Sequence, residues 1–82
     1  MVQQTSLEAY FSVQEELGKK QQVIYAAIKA LGEATDKDVS HFLHVPINTV
    51  TPRRLEIYQK GLIMYTGQKV QEGRKAMMWR IR

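Results

Sequence analysis

The chain of 82 residues contains no cysteine. Disulfides, thiolate zinc sites and cysteine nucleophiles are thereby excluded. Nor does any apolar run approach the roughly 18 to 20 residues that a membrane-spanning helix requires. The opening Met-Val-Gln-Gln-Thr lacks both the basic flank and the apolar stretch of a signal peptide. A cytoplasmic protein with no membrane partner is the expectation. The length gives room for one modest core, without a second lobe to form a substrate cleft. Chemistry-bearing patterns are equally scarce. Ser6, Ser12 and Ser40 sit in no nucleophile elbow. His41 and His44 are three apart but have no cysteine or well-spaced carboxylate to complete a metal site. Gly61, Gly67 and Gly73 are spread along separate segments and form no phosphate-cradling loop. The expectation is a protein without catalytic activity, metal or cofactor.

Positive charge is missing from the first eighteen residues, and negative charge is scarce in the last thirty. Residues 1–18 contain Glu8, Glu15 and Glu16 and no Lys or Arg, whereas residues 53–82 carry eight basic side chains against Glu56 and Glu72, a local net charge of +6. The whole chain is only +4, so the positive charge is concentrated, as on a surface that meets phosphate.

Periodicity supplies the architecture. Thr5 and Glu8 form a capping-box pattern ahead of Leu7, Tyr10, Phe11, Gln14 and Leu17, so residues 1–18 read as a first amphipathic helix stopped by Gly18. Its apolar stripe serves either core packing or a seam with a second copy. A second helix is expected over 19–31, with Ile24, Ala27, Ile28 and Leu31 on the core face and Gly32 as its cap. After a brief extended stretch, Thr35 and Asp38 repeat the capping-box pattern and open a helix over about 36–43, with Val39, Phe42 and Leu43 inward. His44-Val45-Pro46 must be a turn, with His44 where a left-handed residue is usual and Val45 plugging the angle.

A fourth helix then ends at Lys60-Gly61. Val50, Arg54 and Ile57 form its inner stripe, with the Arg54 stem buried and its charge carried outward. Asn48, Thr51, Pro52, Leu55 and Gln59 face away. Thr49, Arg53, Glu56 and Lys60 form a flank on which Glu56 and Lys60 have ion-pair spacing. Pro52 either distorts the first turn or marks the start of the regular helix. Residues 62–71 and 74–81 alternate as strands around a Glu72-Gly73 turn, with Trp79 and Ile81 on the core face and Lys69, Arg74 and Lys75 toward the tip. Three to four helices followed by an antiparallel hairpin make a mainly α fold, a winged helix-turn-helix. The expected division is an N-terminal helix over 1–18 and a winged helix-turn-helix domain over 19–82.

The stretches Val45-Pro46-Ile47-Asn48-Thr49-Val50-Thr51-Pro52-Arg53, Gly61-Leu62-Ile63 and Gly73-Arg74-Lys75-Ala76-Met77-Met78-Trp79-Arg80 resemble the small winged-helix proteins of phages and prophages, distant relatives of the MarR-type regulators. The likeness covers roughly residues 19–82. It implies binding to double-stranded DNA, with Asn48, Thr49, Thr51 and Arg53 at the start of the recognition helix and Lys69, Arg74 and Lys75 in the wing; the expected function is a transcriptional regulator in which Gln59, farther along the helix from Asn48 to Lys60, adds to the reading. A homodimer would supply paired half-sites. The outward Leu55 supports an alternative, a winged helix that docks another protein.

Overall fold

The computed structural model describes residues 17–82. The predicted helix from Thr5 therefore lies outside the described residues. The elements are α1 (Lys19–Leu31), β1 (Glu33–Ala34), α2 (Asp36–Leu43), α3 (Ile47–Gln59), β2 (Ile63–Gln71) and β3 (Arg74–Ile81). α1 and α2 both pack against α3. The strands form one antiparallel sheet in the order β1-β3-β2, so the last strand lies in the middle.

The joints follow from local chemistry. Gly18 is extended and caps the start of α1, where the Gln21 side chain accepts a hydrogen bond from the Gly18 amide at 3.2 Å. Gly18, extended rather than left-handed, thus marks the beginning of α1. Thr35 and Asp38 exchange side-chain and amide bonds at 3.0 and 3.1 Å, the capping box read in the sequence. At the end of α2, His44 adopts φ 57 and ψ 45, the left-handed conformation its position demands. The Val45 amide reaches back to the Ser40 carbonyl and the Ser40 hydroxyl donates to the Val45 carbonyl, which fixes the turn between the two helices.

α3 runs unbroken from Ile47 with Pro46 at its N-cap, so Pro52 lies inside the helix and simply omits one backbone bond. It ends with the Leu62 amide on the Ile57 carbonyl and the Gly61 amide on the Tyr58 carbonyl, a Schellman closure that needs the φ of 76 at Gly61.

The core consists of Leu17, Ile24, Ala27, Ile28, Ala34, Val39, Val50, Ile57, Ile63 and Trp79. Every element contributes at least one of these residues, although the hairpin supplies only Ile63 and Trp79. Two residues expected inside are not: Phe42 is 50% exposed and Leu31 is also exposed. α2 is only eight residues long and buries a narrow stripe, Val39 and Ser40, which leaves Phe42 past its edge. Leu31 is the last residue of α1, next to the Gly32 cap.

Candidate nucleic-acid interface

The hairpin turn is built from Glu72 and Gly73, both at positive φ, 52 and 77, between the paired residues Gln71 and Arg74. A two-residue turn of that hand matches the twist of the strands. Lower down, the register slips between Tyr65 and Gly67, leaving Thr66 as an extra residue in β2. Such a bulge bends its strand. The hairpin does not stand free: its outer half is tied to the start of α2. The Lys69 ammonium meets Asp38 at 2.9 Å, Gln71 bonds both Asp38 at 2.7 Å and the Thr35 hydroxyl at 2.8 Å, and Lys37 pairs with Glu72.

These partners tune the acids. Burial alone would raise the Asp38 carboxyl, but bonds from Lys69, the Thr35 amide and Gln71 outweigh it and hold the group below its ordinary value. Glu72 is lowered by the hydrogen bond and charge of Lys37.

A second cluster fixes the hairpin's base to α3. The Arg54 guanidinium lies 4.4 Å from the Trp79 ring centre and makes two 2.8 Å bonds with the Asp36 carboxylate, which also accepts from the Thr51 hydroxyl at 2.9 Å. Both charged side chains are largely covered, at 13% and 16% exposure. Tyr58 and Tyr65 stand edge-on to the same indole at 5.0 and 5.7 Å. The expectation that Arg54 carries its charge outward is therefore corrected: Asp36 neutralises it in place, and Trp79 covers it.

Arg53 is also engaged. It pairs with Glu56 at 2.9 Å, and Glu56 accepts from Gln21 of α1 at 2.8 Å. The hydrogen bond from Gln21, then that from Arg53, holds the Glu56 carboxyl below its ordinary value. Glu56 thus joins Gln21 and Arg53, and the charge of Lys60, at the spacing noted in the sequence, lowers its carboxyl further.

The eight residues singled out from the sequence separate into distinct groups. Asn48 and Gln59 are exposed on the outer stripe of α3 and make no side-chain hydrogen bond among the described residues. Thr51 is exposed, with its hydroxyl turned to Asp36. Thr49 and Arg53 line a shallow apolar cleft beside Lys20, Val23 and Leu43, on the α1 side. Lys69 is committed to Asp38. Arg74 and Lys75 are exposed and form no ion pair among the described residues. They open onto a cleft of about 600 Å³ between hairpin and helices, whose other walls include Ile47, Arg54, Met77 and Trp79. The fold thus sets the unpaired basic residues of the hairpin across one cleft from the first residue of α3, Ile47, and from the neutralised Arg54. Asp36 and Asp38 went unrecognised as the anchors of this arrangement. In the sequence they signal only favourable charges at a helix start, because their partners are 18 and 31 residues away.

The arrangement has counterparts among solved structures. The fold is a winged helix. Stf76 from the Sulfolobus islandicus plasmid-virus pSSVx superposes with a TM-score of 0.60 at 18% identity, over 82% of this chain and 84% of the other. The YusO protein from Bacillus subtilis gives 0.68 at 19% identity over 96% of this chain. NMB1585, a MarR family regulator from Neisseria meningitidis, gives 0.61 at 18% over 95%. The chain spans 62% and 54% of the length of the latter two. Distant similarity to MarR-type winged helices, with a viral protein among the neighbours, agrees with the resemblance read from the sequence. No family model matches the chain, and no curated protein matches it. Among the described residues no group of acids and histidines could hold a metal ion, and no helix is long and apolar enough to cross a membrane.

Proposed function

We propose that this protein binds double-stranded DNA as a transcriptional regulator of the phage or prophage type, with α3 in a major groove and the hairpin tip on the adjacent phosphates. The observation that carries the reading is the pair Arg74 and Lys75: basic, exposed, unpaired among the described residues, and held by the hairpin across a cleft from Ile47 and Arg54 of α3. Side chains whose charge is already satisfied internally, such as Arg53, Arg54 and Lys69, have less to gain from a phosphate. Arg74 and Lys75 do not face that competition. A helix face free of carboxylates avoids repelling the duplex, since Asp36 and Glu56 at its borders are neutralised by Arg54 and Arg53. A homodimer would set two such faces on half-sites about 34 to 36 Å apart.

The test is fluorescence anisotropy with labelled random duplex DNA at about 50 and about 200 mM salt. Each phosphate contact contributes about 0.9 to the slope of log affinity against log salt. Arg74→Ala and Lys75→Ala should each flatten the slope by about that amount and weaken all sequences alike, whereas Lys69→Ala should change it less. Absence of binding at the lower salt would refute the reading. It would favour the docking of another protein through Leu55, which is 44% exposed.

A further inference from the structure

The internal pairing of α3 determines which base edges it can read. Guanine is read in the major groove chiefly by Arg or Lys, and cytosine by Asp or Glu accepting from its amino group. Every charged side chain of α3 within reach of its outer face is already committed: Arg54 to Asp36 and Trp79, Arg53 to Glu56, and Glu56 to Gln21 as well. What remains on the outward stripe is Asn48, Pro52, Leu55 and Gln59, at spacings of four, three and four residues, so all four share one helix face. All are exposed, and among the described residues neither amide side chain has a hydrogen-bond partner. Asn and Gln are the side chains that bond adenine in bidentate fashion, and an apolar side chain has the thymine methyl as its natural contact in the groove.

From this we infer that α3 is an A·T reader: Asn48 and Gln59 select adenine and Leu55 selects thymine through its methyl group, with no group positioned to favour G·C. The inference rests on the DNA-binding reading above. Leu55 is the specificity-determining residue. Its 44% exposure, unfavourable in water, becomes useful when a methyl group covers it. On this reading the two basic residues have a different task, since Arg74 and Lys75 hold the duplex without choosing its sequence.

The experiment compares four labelled 20-base-pair duplexes at about 50 mM salt: alternating A·T, the same with uracil for thymine, alternating I·C, and alternating G·C. Uracil removes the major-groove methyl and nothing in the minor groove. Inosine gives G·C its usual major-groove edge with the minor groove of A·T. The expected result is A·T binding about tenfold tighter than G·C, I·C behaving as G·C, and A·U weaker than A·T by about threefold. In Leu55→Ala the preference for thymine over uracil should vanish while the salt slope is unchanged, and Asn48→Ala should reduce the preference for A·T over G·C.

Equal binding of all four duplexes would overturn the inference and leave DNA binding intact. So would I·C behaving as A·T, because the hairpin would then be reading the minor groove. A thymine preference that survives in Leu55→Ala would remove Leu55 from the role. Failure of every duplex to bind would remove the DNA-binding reading itself.

Discussion

The Arg54–Asp36 pair is the joint between hairpin and helices, and its removal should be costly. Arg54→Ala takes away two 2.8 Å charge-assisted bonds and the stacked guanidinium, and leaves an Asp36 carboxylate that is 16% exposed with only the Thr51 hydroxyl to satisfy it. Breaking one side of a fully buried pair costs about 3 to 5 kcal/mol. The residual exposure here lowers that figure, and a stacked cation contributes about 0.5 to 2 kcal/mol of its own. A loss of about 2 to 3 kcal/mol is expected, which for a domain of this size corresponds to a fall in Tm of roughly 10 to 20 °C. The decisive assay is a double-mutant cycle by urea unfolding with Arg54→Ala, Asp36→Ala and both together. Asp36 also sits in the first turn of α2, so Asp36→Ala includes a helix-dipole loss; the cycle cancels it. The pair should show a coupling of about 1 to 2 kcal/mol. A coupling below about 0.5 kcal/mol would mean that the two groups meet without stabilising the joint, and the account of this cluster would fail.

Three further outcomes are expected. Asp38 has its folded pKa lowered from the ordinary 3.8, so its contribution to stability is complete above that value and disappears as pH falls through the lower folded value; Asp38→Asn should flatten the acid limb of a stability–pH curve below about pH 4 relative to the parent. His44→Gly should raise stability by about 0.5 to 1 kcal/mol in thermal unfolding, because the left-handed φ of 57 costs an L-residue about 1 to 2 kcal/mol that glycine avoids, less glycine's greater chain entropy. The Thr66 hydroxyl at the bulge is buried with no hydrogen-bond partner among the described residues, so Thr66→Val, a replacement of the same shape, should be neutral or stabilising by about 1 kcal/mol in the same assay.

The helices and strands were legible in the sequence because each carries its own boundary chemistry: the Thr35 and Asp38 box, the left-handed His44, the Gly61 cap and the Glu72-Gly73 turn all act within a few residues. Trp79 as core could be read for the same reason, from alternation along one strand. What could not be read was the destination of the charges. Nothing near Arg53 in sequence points to Gln21 as a neighbour of its partner, and nothing near Lys69 points to Asp38. Helical angle placed Asn48, Leu55 and Gln59 outward, Arg53 on a flank and Arg54 on the inner stripe, but it did not show which groups would meet the two charges, because angle describes direction and not pairing. Phe42 shows the converse limit, since periodicity counts an apolar residue as inward even where the neighbouring elements are too short to cover it.

The order of the strands has a consequence for how the molecule comes into being. β3 follows every other described element and is the middle strand of the sheet, and its Trp79 is the surface against which Arg54, Tyr58 and Tyr65 settle. On a chain made from its amino end, the three helices emerge before the strand that completes their core. Contacts between distant parts of a chain carry a loop-closure cost that must be met before they reward it. The pair α2 and α3 should therefore stay loosely organised during synthesis and acquire its final geometry in a late, concerted step, when the hairpin closes over the indole.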